Sequence, residues 1–410
     1  MTDHAAKPQF LLMVHRILIH VIIGADLCYN SRLYLFMFSD AAQRILLLSQ
    51  ILIAIFYILI AIARGYIAVV LISISCVCLI LGQAWIFEQN WNVPLNWPGI
   101  GQYGAFLSFV PIFIMVRDGV ATYVVRTLTR YAIAYTFIYL AISLLHSVGL
   151  LPPQISTPLI LNDMERGDRL WAHFGALGFV WYVSMVRVQD RLTSARVMLL
   201  LVSALANIMT LSRVYLGCLA VVSILSVVRA PRPVIRAVCL GCFGILSSVL
   251  VYGMVDTRWN PFFAFASNDT SGIGRALEYQ IAQEIIGRSP MLGMGLTSFA
   301  NYHFSVTGIT YFAPGDLGLV GVLLDYGLIG LCLFLIASLI TCAYNKSIPK
   351  PFDQALFLQG CTFVLDSSIS PNMFAPNAAF FFLVILGFWL AYETKSEDIR
   401  ARNFSSARKI

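Results

Sequence analysis

The sequence has few charged residues. Asp, Glu, Lys and Arg together make up only 11% of its 410 residues, whereas soluble domains carry about a quarter. Hydrophobic residues make up 59% of the chain, and the mean hydropathy is +0.81. One soluble core cannot bury so much apolar surface, since cores stop growing at a few hundred residues. The composition excludes a soluble globular protein and predicts an integral membrane protein.

The chain also lacks the patterns of several other functional classes. Eight of its nine cysteines lie within apolar runs, so no disulfide framework is expected. Cys239 and Cys242 form a CxxC, but there is no second pair, which favours packing over metal binding or redox chemistry. Residues 1–8 are polar, and no cleavable signal peptide is expected. Neither a metal nor another cofactor is expected.

Apolar windows of about 20 residues predict the transmembrane helices, because a helix of that length crosses the hydrocarbon core. The predicted fold is an all-α, polytopic membrane protein of about 12 helices, with residues 1–410 forming a single membrane domain. The windows lie near residues 10–27, 43–63, 66–86, 100–117, 129–148, 170–187, 195–211, 213–229, 234–254, 317–344, 354–371 and 376–393.

The distribution of Lys and Arg predicts the orientation. With the N-terminus in the cytoplasm, cytoplasmic segments hold 18 of these residues and periplasmic segments hold 8. Both termini are therefore expected in the cytoplasm of a multi-pass bacterial inner-membrane protein, and residues 394–410 form a basic cytoplasmic tail. The net charge of +7 follows this topology, so no nucleic-acid partner is expected. Every cation predicted outside is an arginine, whose planar fork suits phosphate.

The predicted periplasmic loop at 255–316 is far longer than an ordinary connection. Within it, residues 274–286 have the pattern of an amphipathic helix, which could cover a cavity or simply pack on the bundle. Leu277, Ile281 and Ile285 recur every fourth residue and predict its apolar face.

Several residues on the predicted periplasmic side are candidates for chemistry. Arg213 follows Ser212 at a junction too short for an ordinary loop; it faces either a cavity or the lipid headgroups. Arg275 begins the amphipathic helix, and Arg288 follows its end. Pro290 opens a turn with closely spaced glycines, which predicts tight backbone turns rather than a dinucleotide site.

Acidic residues and one histidine near the tenth span form a second group of candidates. Asp316 precedes this span and suits either a helix N-cap or a catalytic base. Asp325 lies inside the span, where an acidic group is a functional candidate by default. His303 lies in the preceding loop and is either solvated or catalytic.

The order of these features resembles the O-antigen polymerase (Wzy) and O-antigen ligase superfamily of bacterial polysaccharide assembly. The resemblance covers roughly residues 205–340. It rests on Ser212–Arg213 at a tight junction, a long outer loop with Gly274–Arg275, the Pro290–Gly295 turn, and the segment Asp325–Leu331.

The resemblance implies an inverting, metal-independent glycosyltransferase that acts on the periplasmic face. Its donor would be an undecaprenyl-diphosphate-linked oligosaccharide held within membrane lipid. By motif match, Arg213 and Arg275 would bind the diphosphate, and Arg288 is expected to line the same cavity. Ligases of this group carry His-Asn just before the tenth span, where this chain has Gly315–Asp316. Asp316 then becomes the expected base, with His303 as the second candidate.

This departure favours a polymerase of O-antigen or exopolysaccharide repeat units over a ligase that acts in lipopolysaccharide assembly. A chain-length regulator and a flippase of the same pathway are candidate partners. A transporter or flippase is the alternative from another class, because twelve helices with both ends inside is a common transporter layout. Against it, the long loop breaks any symmetry between the two halves, which show no clear internal repeat.

Overall fold

The structure is a computed structural model, and it describes most of the chain. The described residues are 9–34, 39–94, 97–157, 159–161, 169–253, 270–296, 312, 314–343, 348–370 and 379–407.

Within these residues the chain is almost entirely helical. The α-helices are α1 (Gln9–Asn30), α2 (Ser39–Ala63), α3 (Ile67–Trp91), α4 (Trp97–Gln102), α5 (Phe109–Arg117), α6 (Ala121–Ser147), α7 (Pro153–Ser156), α8 (Phe174–Asp190), α9 (Ser194–Ile208), α10 (Arg213–Val227), α11 (Arg232–Gly253), α12 (Thr270–Arg288), α13 (Leu319–Ala343), α14 (Phe352–Asp366) and α15 (Phe380–Ala407). The other elements are 3-10 helices at Tyr103–Ser108 and Pro314–Leu317 and a short antiparallel pair of strands, β1 (Ile160–Leu161) and β2 (Arg169–Leu170).

The fold is that of an all-α polytopic membrane protein. In the described part, 7 helical segments are long and apolar enough to cross a membrane: α1, α2, α3, the segment Ile100–Arg117, α6, α11 and α13. Shorter apolar helices occur at α9, α10 and the segment Phe380–Thr394. Every span predicted from hydropathy falls on one or more of the helices.

Side-chain contacts define two ends of the bundle, since His15 and Arg64 meet Asp118 at one end while Trp171 meets Asn30 at the other. We name the end that holds residues 209–213 and α12 the outer end, and the opposite end the inner end. The outer end is the one predicted to face the periplasm; this orientation stays a prediction.

Helix α14 forms the centre of the bundle. Almost all of its residues are buried, and it packs against α8, α10, α11, α13 and α15. A helix that is largely apolar on every face is stable only when other helices surround it or lipid does. Because α14 contacts five neighbouring helices, it holds them in position relative to one another.

Charged side chains at the inner end are paired across helices. His15 Nε2 lies 2.8 Å from Asp118 Oδ2, and Arg64 donates to both carboxylate oxygens of Asp118 at 2.8 and 3.0 Å. Arg232 likewise donates to Asp353. Charges near the hydrocarbon region are costly unless they are paired, so these contacts hold the inner ends of several helices together.

Helix α13 is interrupted at Gly327, whose φ of 65° and ψ of −163° are not helical. The interruption leaves backbone groups without helical partners, and the turn at residues 290–295 supplies new ones. The bonds run from Met294 N–H to Leu324 O, from Gly295 N–H to Asp325 O, from Leu328 N–H to Pro290 O and from Ile329 N–H to Met291 O, at 2.7 to 3.4 Å. The φ values of 72° at Gly293 and 92° at Gly295 confirm the predicted tight turn.

Replacing Gly327 by Ala should destabilise the protein by roughly 1–3 kcal/mol. Its φ/ψ pair is essentially restricted to glycine, and an added Cβ would lie 2.3 Å from the carbonyl carbon of Met291. The thermal unfolding midpoint of the purified protein in detergent checks this. Gly241→Ala in α11 is the control, because nothing lies within 4 Å of its added Cβ. Equal midpoints for the two variants would contradict the expectation.

Candidate functional site

A second hydrophobic core forms the outer end of the bundle, separate from the main one. It joins α12 to α13 and to the 3-10 helix Pro314–Leu317, and it also receives the outer ends of α3 and α11. Its buried members are Phe87, Leu250, Ala276, Tyr279, Ala282, Ile285, Ile286, Met294, Phe312, Leu317, Val320, Leu323 and Leu324. This core brings the helix that carries Arg275 against the turn that carries Asp316.

The buried face of α12 differs from the predicted one. Leu277 is 46% exposed, and Ile281 is only partly buried, whereas Ile285 is buried as expected. The helix begins at Thr270, earlier than predicted, and its face is set by the contact of Tyr279 with α11. The buried face consists of Ala276, Tyr279, Ala282, Ile285 and Ile286, together with Glu278.

Tyr279 joins α12 to the outer end of α11. Its ring is fully buried, and its hydroxyl donates to Leu250 O. Burial raises the pKa of the Tyr279 phenol, so the group stays a protonated donor at physiological pH. Arg275 is one helical turn before Tyr279 on the same face and is partly exposed. Arg275 therefore lies where α12 crosses the outer end of α11.

An apolar groove runs between α11 and α13 beside this crossing. Its volume is about 760 Å³, and it is lined by Phe243, Gly244, Ser247, Ser248, Val249, Val251, Tyr252, Leu319, Leu331 and Leu335. Both walls belong to helices apolar enough to span a membrane. An apolar groove of this kind suits the apolar part of a ligand.

Arg213 is the first residue of α10, directly after a tight turn. Leu211 adopts a φ of 52°, and Thr210 Oγ1 donates to Asn207 O at 2.7 Å. Ser212 is the N-cap residue, but its side chain makes no capping hydrogen bond. Arg213 is exposed, so the turn presents a guanidinium together with the positive end of the helix dipole at the outer end.

Arg288 lies apart from Arg275. The two are 13 residues apart on α12, which is about 20 Å along the axis and on different faces of the helix. Arg288 pairs with Glu284, and both side chains are about two-thirds exposed (67% and 68%). A shared role for Arg288 in the cavity stays a prediction, and the separation favours Arg275 as the contact to a single anionic group.

The two candidate bases lie largely outside the described part of the chain. His303 lies outside the described residues, as does the side chain of Asp316. The backbone of Asp316 belongs to the 3-10 helix Pro314–Leu317, and α13 begins only at Leu319. Asp316 is therefore too early in the chain to serve as the N-cap of α13, one of the two roles expected for it.

Asp325 lies where α13 is interrupted. Its backbone carbonyl accepts from Gly295 N–H at 3.1 Å, and its Oδ1 is buried with no hydrogen-bond partner among the described residues. Tyr103 and Tyr326 lie within electrostatic reach of its carboxylate. A buried carboxylate oxygen without a donor is uncommon in native structures and indicates a bound water or a functional role.

The sequence patterns did not single out a polar cluster in the outer half of α1. Asp26 accepts from His173 Nε2 at 3.0 Å and from Asn30 Nδ2 at 2.6 Å. An acidic residue inside the first span was the available signal. In the described part of the chain, no group of three or more His, Cys, Asp or Glu side chains could hold a metal ion.

Comparison with known proteins finds one family. A family model described as O-antigen ligase matches residues 198–335, from α9 to the middle of α13. No curated protein matches the chain. The matched segment contains the turn before α10, helix α12, the glycine turn and the interruption of α13. These features carry the resemblance to the O-antigen polymerase and ligase superfamily.

Tyr279→Phe should cost about 1 kcal/mol of stability, because it removes the hydrogen bond to Leu250 O and leaves that carbonyl without this donor. It should also loosen α12 over the groove. Hydrogen exchange of α12 in detergent measures the loosening. Leu277→Ala, on the exposed side of the same helix, is the control and should leave exchange unchanged. Unchanged exchange in Tyr279→Phe would show that the phenol does not hold α12.

Proposed function

We propose that the protein polymerises lipid-linked oligosaccharide repeat units on the periplasmic face of the bacterial inner membrane, because a family model described as O-antigen ligase matches residues 198–335. The donor is an oligosaccharide on undecaprenyl diphosphate. The acceptor is the sugar of another lipid-linked unit. The product is a longer glycan of O-antigen or exopolysaccharide type.

One observation carries this proposal: α12, the helix of Arg275, is hydrogen-bonded to the outer end of α11, whose residues line an apolar groove. Arg275 lies on the face of α12 that crosses α11, and the groove between α11 and α13 begins beside that crossing. A lipid-linked diphosphate has the matching shape, with a long apolar chain and a doubly charged head. The groove would hold part of the chain while the head contacts Arg275.

The reaction requires a leaving group to be stabilised. The acceptor hydroxyl oxygen attacks the anomeric carbon of the donor sugar, and the bond from that carbon to the diphosphate oxygen breaks. Attack from the opposite side inverts the anomeric configuration. Negative charge develops on the departing diphosphate, and preorganised cations in a site of low dielectric stabilise it most strongly. Arg275 and Arg213 are the cations proposed for this role.

The reaction also requires a base for the proton of the acceptor hydroxyl. Asp316 is the proposed base, because its 3-10 helix packs against α12 in the outer core. A carboxylate takes such a proton when it lies within hydrogen-bond reach of the hydroxyl. His303, in the same predicted loop, is the second candidate.

A ligase is the second candidate function, because the matching family model is described as O-antigen ligase. A ligase would use the same lipid-linked donor as a polymerase and would differ only in the acceptor. Ligases of this group have His-Asn where this chain has Gly315–Asp316. This difference favours the polymerase.

The decisive experiment measures glycan chain length in a strain whose own copy is deleted. Complementation with Arg213→Ala, Arg275→Ala or Asp316→Ala, at matched protein levels, should leave single repeat units. Loss of one charge-assisted contact to the leaving group should lower the rate about 10²-fold or more. Leu277→Ala, on the exposed side of α12, is the matched control and should restore long chains.

The other outcomes separate the alternatives. Long lipid-linked polymer that never reaches its final acceptor would identify a ligase. Normal chains from all the variants would contradict the assigned site and favour a transporter. Repeat units that remain on the cytoplasmic side in the deletion strain would identify a flippase.

Filling the groove should impair use of the lipid-linked donor. Gly244→Trp adds a large ring to the groove wall, so the KM for the donor should rise about tenfold or more, as expected when a ligand loses a well-packed apolar contact. Gly241→Trp lies one turn earlier on α11, outside the groove lining, and is the control. An equal effect of the two substitutions would show that the groove is not the donor site.

A further inference from the structure

The outer end carries a second feature, in the half of the chain that the family model does not match. Trp171 follows β2, and its Nε1–H donates to Asn30 O at 2.8 Å. The guanidinium of Arg32 lies over the Trp171 ring, 4.0 Å from its centroid. Both side chains are partly exposed. The end of α1 and the short hairpin thus present a stacked Arg–Trp pair to the outer side.

Arg32 holds its position in an unfavourable backbone conformation. Its φ of 58° lies in the left-handed region, which side chains with a Cβ rarely adopt. Glycine would adopt it without strain. Arg229 has the same conformation, and both residues follow the C-terminus of a helix, where left-handed residues are common. The contact with Trp171 is what distinguishes Arg32. Tyr29 and Tyr34 stack beside it, with ring centroids 5.7 Å apart.

A hydrogen-bond acceptor lies beneath this pair. Asn30 is 3% exposed; its Nδ2 donates to Asp26, while its Oδ1 is buried with no partner among the described residues. Because this atom is buried, Asn30 supports the pair through its backbone carbonyl, which accepts from Trp171, and not as a contact to a ligand.

The same surface is connected to the turn that carries Arg213. Arg169, two residues before Trp171, lies within electrostatic reach of Tyr139. The hydroxyl of Tyr139 donates to Met209 O at 3.4 Å, at the end of α9. The Arg–Trp pair and the proposed diphosphate contacts are therefore on one end of the molecule and joined through α6.

We propose that Arg32 and Trp171 form a binding surface for the sugar chain of the acceptor. The inference rests on the proposed function and adds the site that recognises the glycan. The faces of aromatic rings attract the weakly positive C–H face of a pyranose, and a guanidinium donates to sugar hydroxyls or carboxylates. The surface lies outside residues 198–335, the segment that contains the proposed diphosphate contacts.

The test measures binding of two separate probes to the full chain in nanodiscs of neutral phosphatidylcholine. One probe is the carrier-free repeat-unit oligosaccharide prepared from the strain's own polysaccharide. The other is undecaprenyl diphosphate without sugar. Arg32→Gly relieves the backbone strain while removing the guanidinium, so the thermal unfolding midpoint should not fall. Its affinity for the oligosaccharide should fall about tenfold, while that for undecaprenyl diphosphate stays unchanged.

Arg229→Gly is the matched control, because Arg229 also has a left-handed φ, 56°, and lies exposed at the inner end. It should bind both probes as the wild type does. Trp171→Phe is a second variant, and it should weaken oligosaccharide binding by removing the indole N–H and part of the ring.

Three results would overturn the inference. The first is an Arg32→Gly variant that binds the oligosaccharide as tightly as the wild type, and the second is a wild type that binds undecaprenyl diphosphate but not the oligosaccharide. Competition from anionic lipid in the nanodiscs that abolishes oligosaccharide binding would identify a headgroup site instead. A wild type that binds no undecaprenyl diphosphate would instead count against the proposed function, so the two failures are distinguishable.

Discussion

The outer end of this protein depends on satisfying backbone polar groups where α13 is interrupted. Within a membrane protein each unpaired N–H or carbonyl is costly, so a broken helix persists only when other groups replace its hydrogen bonds. The glycine turn at residues 290–295 supplies these bonds on both sides of Gly327. The turn follows α12 directly, so the same bonds that repair α13 also fix the end of the helix that carries Arg275. The interruption of α13, the turn at residues 290–295 and helix α12 are therefore held in fixed positions relative to one another.

The spans were predictable from sequence because lipid is a uniform solvent that selects for apolar length alone. The face of α12 was not, because Leu277, Ile281 and Ile285 follow helical spacing but the bond from Tyr279 to Leu250 decides which side is buried. Arg213 and Arg275 were predicted as diphosphate contacts from their residue type and from the resemblance to the family. The distance of Arg288 from Arg275 follows from helix geometry once α12 is known to be continuous. The pairing of Asp26 with His173 joins residues 147 apart, and hydropathy and local spacing carry no signal for it.

Ion pairs occur at both ends of the bundle, including Arg288–Glu284 at the outer end, and two outer arginines lie at tight turns. Inner-end charges such as Asp118 are in close ion pairs with neighbouring helices. At the outer end, Arg213 and Arg32 are at least partly exposed, and each stands at a tight backbone turn. Paired charges hold helices together, whereas accessible arginines on rigid turns suit the recognition of anionic and hydroxyl-rich groups.

The lengths of α9 and α10 have a consequence for the surrounding bilayer. Each has 15 residues and so spans about 22 Å, which is several ångströms less than a typical hydrocarbon core of about 30 Å. A bilayer adapts to such hydrophobic mismatch by thinning locally, at a modest cost per ångström. Thinning beside these two helices should bring lipid headgroups closer to the turn between them. Under the proposed function, the diphosphate of a lipid-linked donor would then lie nearer to the level of Arg213.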